Sequence, residues 1–115
     1  MNIVYGIPNC DTVKRARAWL TDQGVAHQFH DLKKLGVPAE KLPRWMNELG
    51  WGLVLNRSGT TWRKLDDADK TAVVDAASAS VLMQAHPSVI KRPVVEWTDG
   101  RLTVGFSPEL FAERA

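Results

Sequence analysis

The sequence predicts an α/β fold: one domain whose four-stranded mixed sheet is flanked by helices. Three observations support this: a strand–helix–strand pattern opens the chain, helical patterns fill its middle, and a hairpin signal lies near its end. A length of 115 residues suits one domain. We therefore expect a single domain over 1–115, with a helical insertion at about 36–88.

The first strand, helix and second strand are predicted from a change in apolar spacing. Asn2–Gly6 is β-branched and aromatic, which is typical of a buried strand. From about Asp11 to Gln23, apolar residues recur at three- and four-residue spacing, and Gly24 follows as a C-cap. Val25–Asp31 alternates loosely as a second strand. A right-handed crossover would make the two strands parallel.

The middle of the chain is predicted to be helical. Pro38–Leu49 carries an apolar face, and Pro43 is a candidate for its first turn. Asp66–Ala77 is predicted as a second helix that opens on acidic residues, and a shorter helical piece is expected near Ser80–Gln84. The polar residues Asn56–Arg63 between the first two helices are predicted to form a loop.

The C-terminal third returns to strand signals. Asp99-Gly100 separates the apolar runs Val94–Trp97 and Leu102–Phe106, which predicts a hairpin. Ser107 and Pro108 then suit the N-cap and first position of a last helix. A βαβ unit, a helical block and a ββα unit in this order are the layout of the thioredoxin-like fold.

Composition excludes several classes of function. Fifteen Lys and Arg against thirteen Asp and Glu leave a net charge of +2, too small for bulk binding of nucleic acid or an anionic membrane. No apolar run is long enough to span a bilayer, and the N-terminus does not resemble a secretory signal. A single cysteine excludes an internal disulfide and fits a cytoplasmic location. The three histidines have no metal-binding spacing, so we expect no metal.

Cys10 lies where the first strand gives way to the first helix. Unpaired N–H groups at a helix start stabilise an anion, so a thiolate there would be a nucleophile. Lys14 lies one turn further along the helix, whereas the anionic Asp11 opposes this effect. The alternative is that Cys10 is a small buried apolar residue.

A second candidate site comprises Arg92 and Pro93 at the head of a strand. Proline holds the preceding residue extended, and an arginine so placed could grip two oxygens of an anion. The alternative is a surface turn. The loop Asn56–Arg63 also has two interpretations: an anion-binding loop, or an ordinary helix–helix connection whose Ser and Thr residues serve as caps.

These segments resemble a known family. Tyr5–Ala16, with the motif Gly-Ile-Pro-Asn-Cys-Asp-Thr, and Ile90–Val94, with Lys-Arg-Pro, resemble the arsenate reductase (ArsC)/Spx family of thioredoxin-like proteins. Asn56–Leu65 is most similar to its branch of small YffB-like reductases. The resemblance covers nearly the whole chain and includes the helical insertion.

The resemblance implies roles for particular residues. Cys10 matches the nucleophile, and Arg92 matches the arginine that precedes a cis-proline, here Pro93. The second arginine of arsenate reductases is most nearly matched by Arg57, one position off register, with Asn56 at the matching place. The third, expected near residues 106–107, is absent, and Gly-Ile replaces the His-Asn before the proline. These departures argue against arsenate as the natural substrate.

The function expected from this resemblance is a glutathione-dependent monothiol reductase. The second cysteine of the Spx redox switch is replaced by Val13, so an external thiol must resolve any intermediate on Cys10. Glutathione is the expected cosubstrate, and the partner is a small oxyanion or a disulfide. The two carboxylates of glutathione are expected to bind the following cations: Arg92, Lys14, Arg57 and Arg63. Two alternatives are a non-enzymatic regulator that binds RNA polymerase, as in the Spx branch, and arsenate reduction proper.

Overall fold

The computed structural model describes all residues from Met1 to Ala115. They form two compact units: Met1–Leu35 together with Arg92–Ala115, and Gly36–Lys91. None of the helices is both long and apolar enough to cross a membrane. The elements run in the order β1 (Asn2–Gly6), α1 (Asp11–Asp22), β2 (His27–Asp31), α2 (Leu32–Leu35), α3 (Leu42–Leu49), α4 (Trp51–Val54), α5 (Thr60–Arg63), α6 (Asp67–Thr71), α7 (Ala76–Ala85), a 3₁₀ turn (Pro87–Val89), β3 (Val94–Glu96), β4 (Leu102–Val104) and α8 (Pro108–Arg114).

The first unit contains the predicted four-stranded mixed sheet, in the order β2-β1-β3-β4. β1 pairs parallel with β2 and antiparallel with β3, and β4 closes the predicted hairpin. The βαβ and ββα prediction is therefore confirmed. β2 begins later than predicted because the parallel register starts with Asn2 opposite His27, so Val25 and Ala26 precede the backbone ladder with β1.

One face of this sheet packs against α1 and α8. Its buried core consists of residues from two strands, the hairpin and both helices: Val4, Ala16, Leu20, Val95, Trp97 and Phe111. The Phe111 ring is met edge-on by Trp19, Trp97 and Phe106, with centroid distances of 5.8, 5.0 and 4.7 Å. Edge-to-face pairs add to the free energy of simple burial, so Phe111 anchors α8 on the sheet.

One difference between the predicted and the observed helices of the second unit lies between α6 and α7. The helix predicted over Asp66–Ala77 is wrong: α6 ends at Thr71, and a new helix, α7, begins at Ala76 and includes the piece predicted near residues 80–84. Asp75 interrupts the helix because it caps α7. Its carboxylate accepts from the Ser78 N–H at 2.9 Å, and the Ser78 hydroxyl accepts from the Asp75 N–H at 3.0 Å.

Three short helices also differ from the prediction. α5 lies within Asn56–Arg63, which the sequence predicts as loop, and α2 and α4 fall in stretches with no helix prediction. α3 begins at Leu42, later than the predicted Pro38, and Pro43 lies in its first turn, which confirms that proline as the candidate for the first turn. α8 starts at Pro108 with the Ser107 hydroxyl accepting from the Leu110 N–H at 3.1 Å, as predicted.

We predict that Phe111→Ala destabilises the protein by about 3–5 kcal/mol, since it leaves a cavity where three aromatic rings meet. Urea unfolding monitored by tryptophan fluorescence measures the change. Phe111→Leu is the matched control, because it keeps most of the volume and should cost less. A cost below about 1 kcal/mol for Phe111→Ala would contradict the packing described.

The Asp75 cap makes a pH-dependent contribution to stability. The hydrogen bonds from the Ser78 backbone and hydroxyl lower the pKa of the Asp75 carboxyl from its ordinary value. Its contribution is therefore present above the unfolded pKa of about 3.9 and is lost as pH falls through the lower folded value. We predict that Asp75→Ala lowers the unfolding midpoint at pH 7. The difference from the parent should shrink on acidification below about pH 4, and a constant difference would contradict this account.

Candidate active site

Cys10 is the N-cap of α1 and follows the turn that leaves the end of β1. Its backbone is extended, with φ −128° and ψ 123°, and its carbonyl accepts the Lys14 N–H at 2.9 Å, the first hydrogen bond of the helix. The side chain is partly exposed. Cys10 is therefore not among the fully buried core residues, and the interpretation as a buried apolar residue does not fit its position.

The start of α1 is open to an anion. No side chain caps this helix start, so no capping side chain accepts hydrogen bonds from the backbone N–H groups of its first turn. Lys14 is exposed one turn on, and Asp11 is exposed in the first turn. Arg17, the next cation on this helix face, contacts β2: its guanidinium carbon lies 4.1 Å from the centre of the Phe29 ring.

Arg92 and Pro93 immediately precede β3, beside the end of β1. Tyr5 pairs with Val94, so the start of β3 lies next to the strand end from which the Cys10 turn departs. The peptide bond between Arg92 and Pro93 is cis, as the resemblance implies. Pro93 is buried and its carbonyl accepts the Gly105 N–H at 2.9 Å, which excludes the interpretation of this pair as a surface turn.

The other two predicted cations belong to the second unit. The Arg57 guanidinium carbon lies 5.5 Å from the centre of the Trp51 ring. Arg63 is exposed, and its Nη2 donates to the Ser58 carbonyl at 2.8 Å. No side chain caps α5, whose N-cap is Gly59, so the Ser and Thr residues of this loop do not serve the capping role considered above.

Sequence reasoning missed the contact that places α1 against β1. A Cβ on Gly6 would lie 2.8 and 3.1 Å from the two methyl groups of Val13 and 3.4 Å from Cε1 of Phe29. Only glycine permits this approach at the end of β1, and Val13 lies in the first part of α1, just after Cys10. The sequence feature that could have indicated this contact is the glycine at the end of an apolar strand.

Residues 5–113 match the model of the ArsC family. The chain belongs to the ArsC family. Family membership agrees with the four-stranded mixed sheet. It also confirms the resemblance inferred from the motifs around Cys10 and Arg92.

The chain is similar to several individual proteins. A solved structure named YffB is 53% identical, with a TM-score of 0.92, over 99% of this chain and 98% of that one. An ArsC-related protein from Brucella melitensis is 51% identical, with a TM-score of 0.75, over 97% and 92%. The global transcriptional regulator Spx of Streptococcus mutans is 26% identical over 89% of this chain and 74% of its own. Membership of the ArsC family and the likeness to the YffB and ArsC-related structures support a thiol reductase, whereas Spx is a distant relative.

We predict that Gly6→Ala displaces α1 and costs about 1–3 kcal/mol, because the new methyl group would overlap Val13. Because Cys10 is the N-cap of α1, displacement of this helix should also change the rate at which iodoacetamide alkylates Cys10. Adding Val13→Ala should relieve the overlap, so the double variant should be more stable than the two separate costs imply. Purely additive costs would contradict this contact.

The matched control for this prediction is Gly59→Ala. The atom nearest to its new Cβ is Nδ2 of Asn56 at 2.9 Å, the end of a side chain that can move aside. Moving that side chain disturbs only the exposed hydrogen bond from the Ser58 N–H to Asn56 Oδ1. We therefore expect a smaller loss of stability than Gly6→Ala causes and no change in the alkylation rate of Cys10.

Proposed function

We propose that this ArsC-family protein is a glutathione-dependent monothiol reductase in which Cys10 is the nucleophile. One observation supports it most: Cys10 occupies the uncapped start of α1, next to the turn that ends β1, while Arg92 and Pro93 open the neighbouring strand. Family membership supports the same chemistry. The sequence has no second cysteine that could form an internal disulfide.

The proposed reaction is two thiol–disulfide exchanges. The Cys10 thiolate attacks the glutathione sulfur of a glutathionylated substrate, which forms a mixed disulfide on Cys10 and releases the substrate thiolate. A free glutathione thiolate then attacks the glutathione sulfur of that intermediate. Glutathione disulfide leaves, and Cys10 returns as the thiolate. One disulfide is reduced and two glutathione sulfurs become joined, so the electrons balance.

Recognition of glutathione is assigned to the cations near the motifs. Glutathione carries two carboxylates, and guanidinium groups bind carboxylates through paired hydrogen bonds. Arg92, Lys14, Arg57 and Arg63 are the proposed binding residues, with Pro93 beside the thiol. A small oxyanion is the alternative substrate for the same cations. The proposal places the reaction in the cytoplasm and involves no metal, nucleic acid or membrane.

Two other functions compete with this one. Likeness to Spx favours a non-enzymatic regulator that binds RNA polymerase. Likeness to an ArsC-related protein favours arsenate reduction, although two of the three arginines expected from the family motif are displaced or missing. The three proposals differ in what they require of Cys10, because polymerase binding does not need a thiolate.

We predict that the purified protein reduces a glutathionylated peptide, measured as NADPH oxidation coupled through glutathione reductase. Cys10→Ser should lower the rate by at least about 100-fold, because a hydroxyl is a far weaker nucleophile than a thiolate at neutral pH. Ala18→Ser, an exposed change on α1, controls for general effects on that helix.

Two further measurements, arsenate reduction and capture of RNA polymerase, distinguish the reductase proposal from the two other functions. Reduction of arsenate at a rate matching the peptide would favour an arsenate reductase. Equal capture of purified RNA polymerase by the parent and by Cys10→Ser, with no turnover of either substrate, would favour the regulator and overturn the reductase proposal.

A further inference from the structure

The second unit contains a polar pocket of about 290 Å³. Two of its lining side chains are cationic, Arg57 and Lys91, and none is acidic. The full lining is Gly52, Leu53, Leu55, Asn56, Arg57, Ser58 and Lys91. A cleft lined by charge of one sign raises the local concentration of the opposite ion. The pocket therefore favours an anion.

Backbone pairing brings the two cations together from distant parts of the chain. Leu55 and Ile90 form an antiparallel bridge. On either side of it, the Asn56 N–H donates to the Val89 carbonyl at 2.7 Å and the Lys91 N–H donates to the Val54 carbonyl at 2.8 Å. The segments that carry Arg57 and Lys91 are thus held to each other.

The exposed Arg57 guanidinium lies near an aromatic ring and not near a carboxylate. Its carbon lies 5.5 Å from the centre of the Trp51 ring, and a Cβ on Gly52 would lie 3.4 Å from its Nη2. Neither Arg57 nor Lys91 forms an ion pair. Both charges therefore remain available, and their mutual repulsion would be relieved by a bound anion.

Uncharged donors accompany the two cations. Asn56 Oδ1 accepts the Ser58 N–H at 3.1 Å, which leaves the Asn56 amide nitrogen as a donor. Ser58 also lines the pocket, and its hydroxyl is a further potential donor. This set contains a planar guanidinium, an ammonium group, an amide and a hydroxyl. Such a combination suits the several oxygens of a carboxylate or phosphate group.

We propose that the pocket binds an oxyanion group, a carboxylate or a phosphate, through Arg57 and Lys91. Lys91 is a new binding residue beyond those assigned from the motifs. If the group is a carboxylate of glutathione, the pocket contributes to cosubstrate recognition, and that version rests on the proposed function. If it is phosphate, the pocket acts independently of that function.

The test is an NMR titration of ¹⁵N-labelled full-length Cys10→Ser protein at constant ionic strength. The probes are S-methylglutathione, its diester, which lacks the carboxylate charges, and inorganic phosphate. We expect at least one anion to shift the amide signals of Gly52, Ser58 and Lys91, while the diester does not. Arg57→Gln and Lys91→Gln should each weaken that binding by about fivefold or more.

The matched control is Lys64→Gln, which removes the same charge from an exposed lysine of the second unit that does not line the pocket. It should leave the affinity unchanged. Shifts with S-methylglutathione support the pocket as a carboxylate site. Shifts with phosphate alone support it as an oxyanion site and exclude glutathione from it.

Two results would overturn the proposal: neither anion shifts the three amides, or Lys64→Gln weakens binding as much as Lys91→Gln does. Failure here is distinguishable from failure of the reductase proposal, because turnover is measured separately on the protein with Cys10 intact.

Discussion

The close approach of α1 to the end of β1 is the constraint on which the placement of Cys10 depends. Gly6 lets the methyl groups of Val13 sit where a side chain would otherwise stand. β1 is also paired on both sides, parallel to β2 and antiparallel to β3. The same strand end therefore determines where the helix that carries Cys10 begins and where the Arg92–Pro93 segment meets the sheet.

Local sequence patterns were sufficient for the sheet but not for the helices of the second unit. Strand composition, the Asp99-Gly100 turn and the Ser107 cap are properties of neighbouring residues, and the structure confirms them. The break between α6 and α7 depends on whether Asp75 continues one helix or caps the next, which apolar spacing does not reveal. α2 and α4 have four residues each, about one turn, too short for a periodic signal.

The site shows the same division between local and tertiary information. Cys10 and Arg92 were identified from their positions beside predicted strand ends and from family motifs. The contact of Gly6 with Val13 and the convergence of Arg57 with Lys91 were not identified. The latter follows from the bridge between Leu55 and Ile90, a tertiary pairing that leaves no local pattern in either segment.

Anion recognition in this chain must come from local arrangement rather than from overall charge. A net charge of +2 gives a weak field, which salt screens within about 10 Å. Arg44 and Arg101 form ion pairs with neighbouring carboxylates. Arg57 and Lys91 do not, and they share a pocket without an acidic side chain. Binding there should fall as ionic strength rises, yet the directional donors that line the pocket should still discriminate oxyanions from chloride.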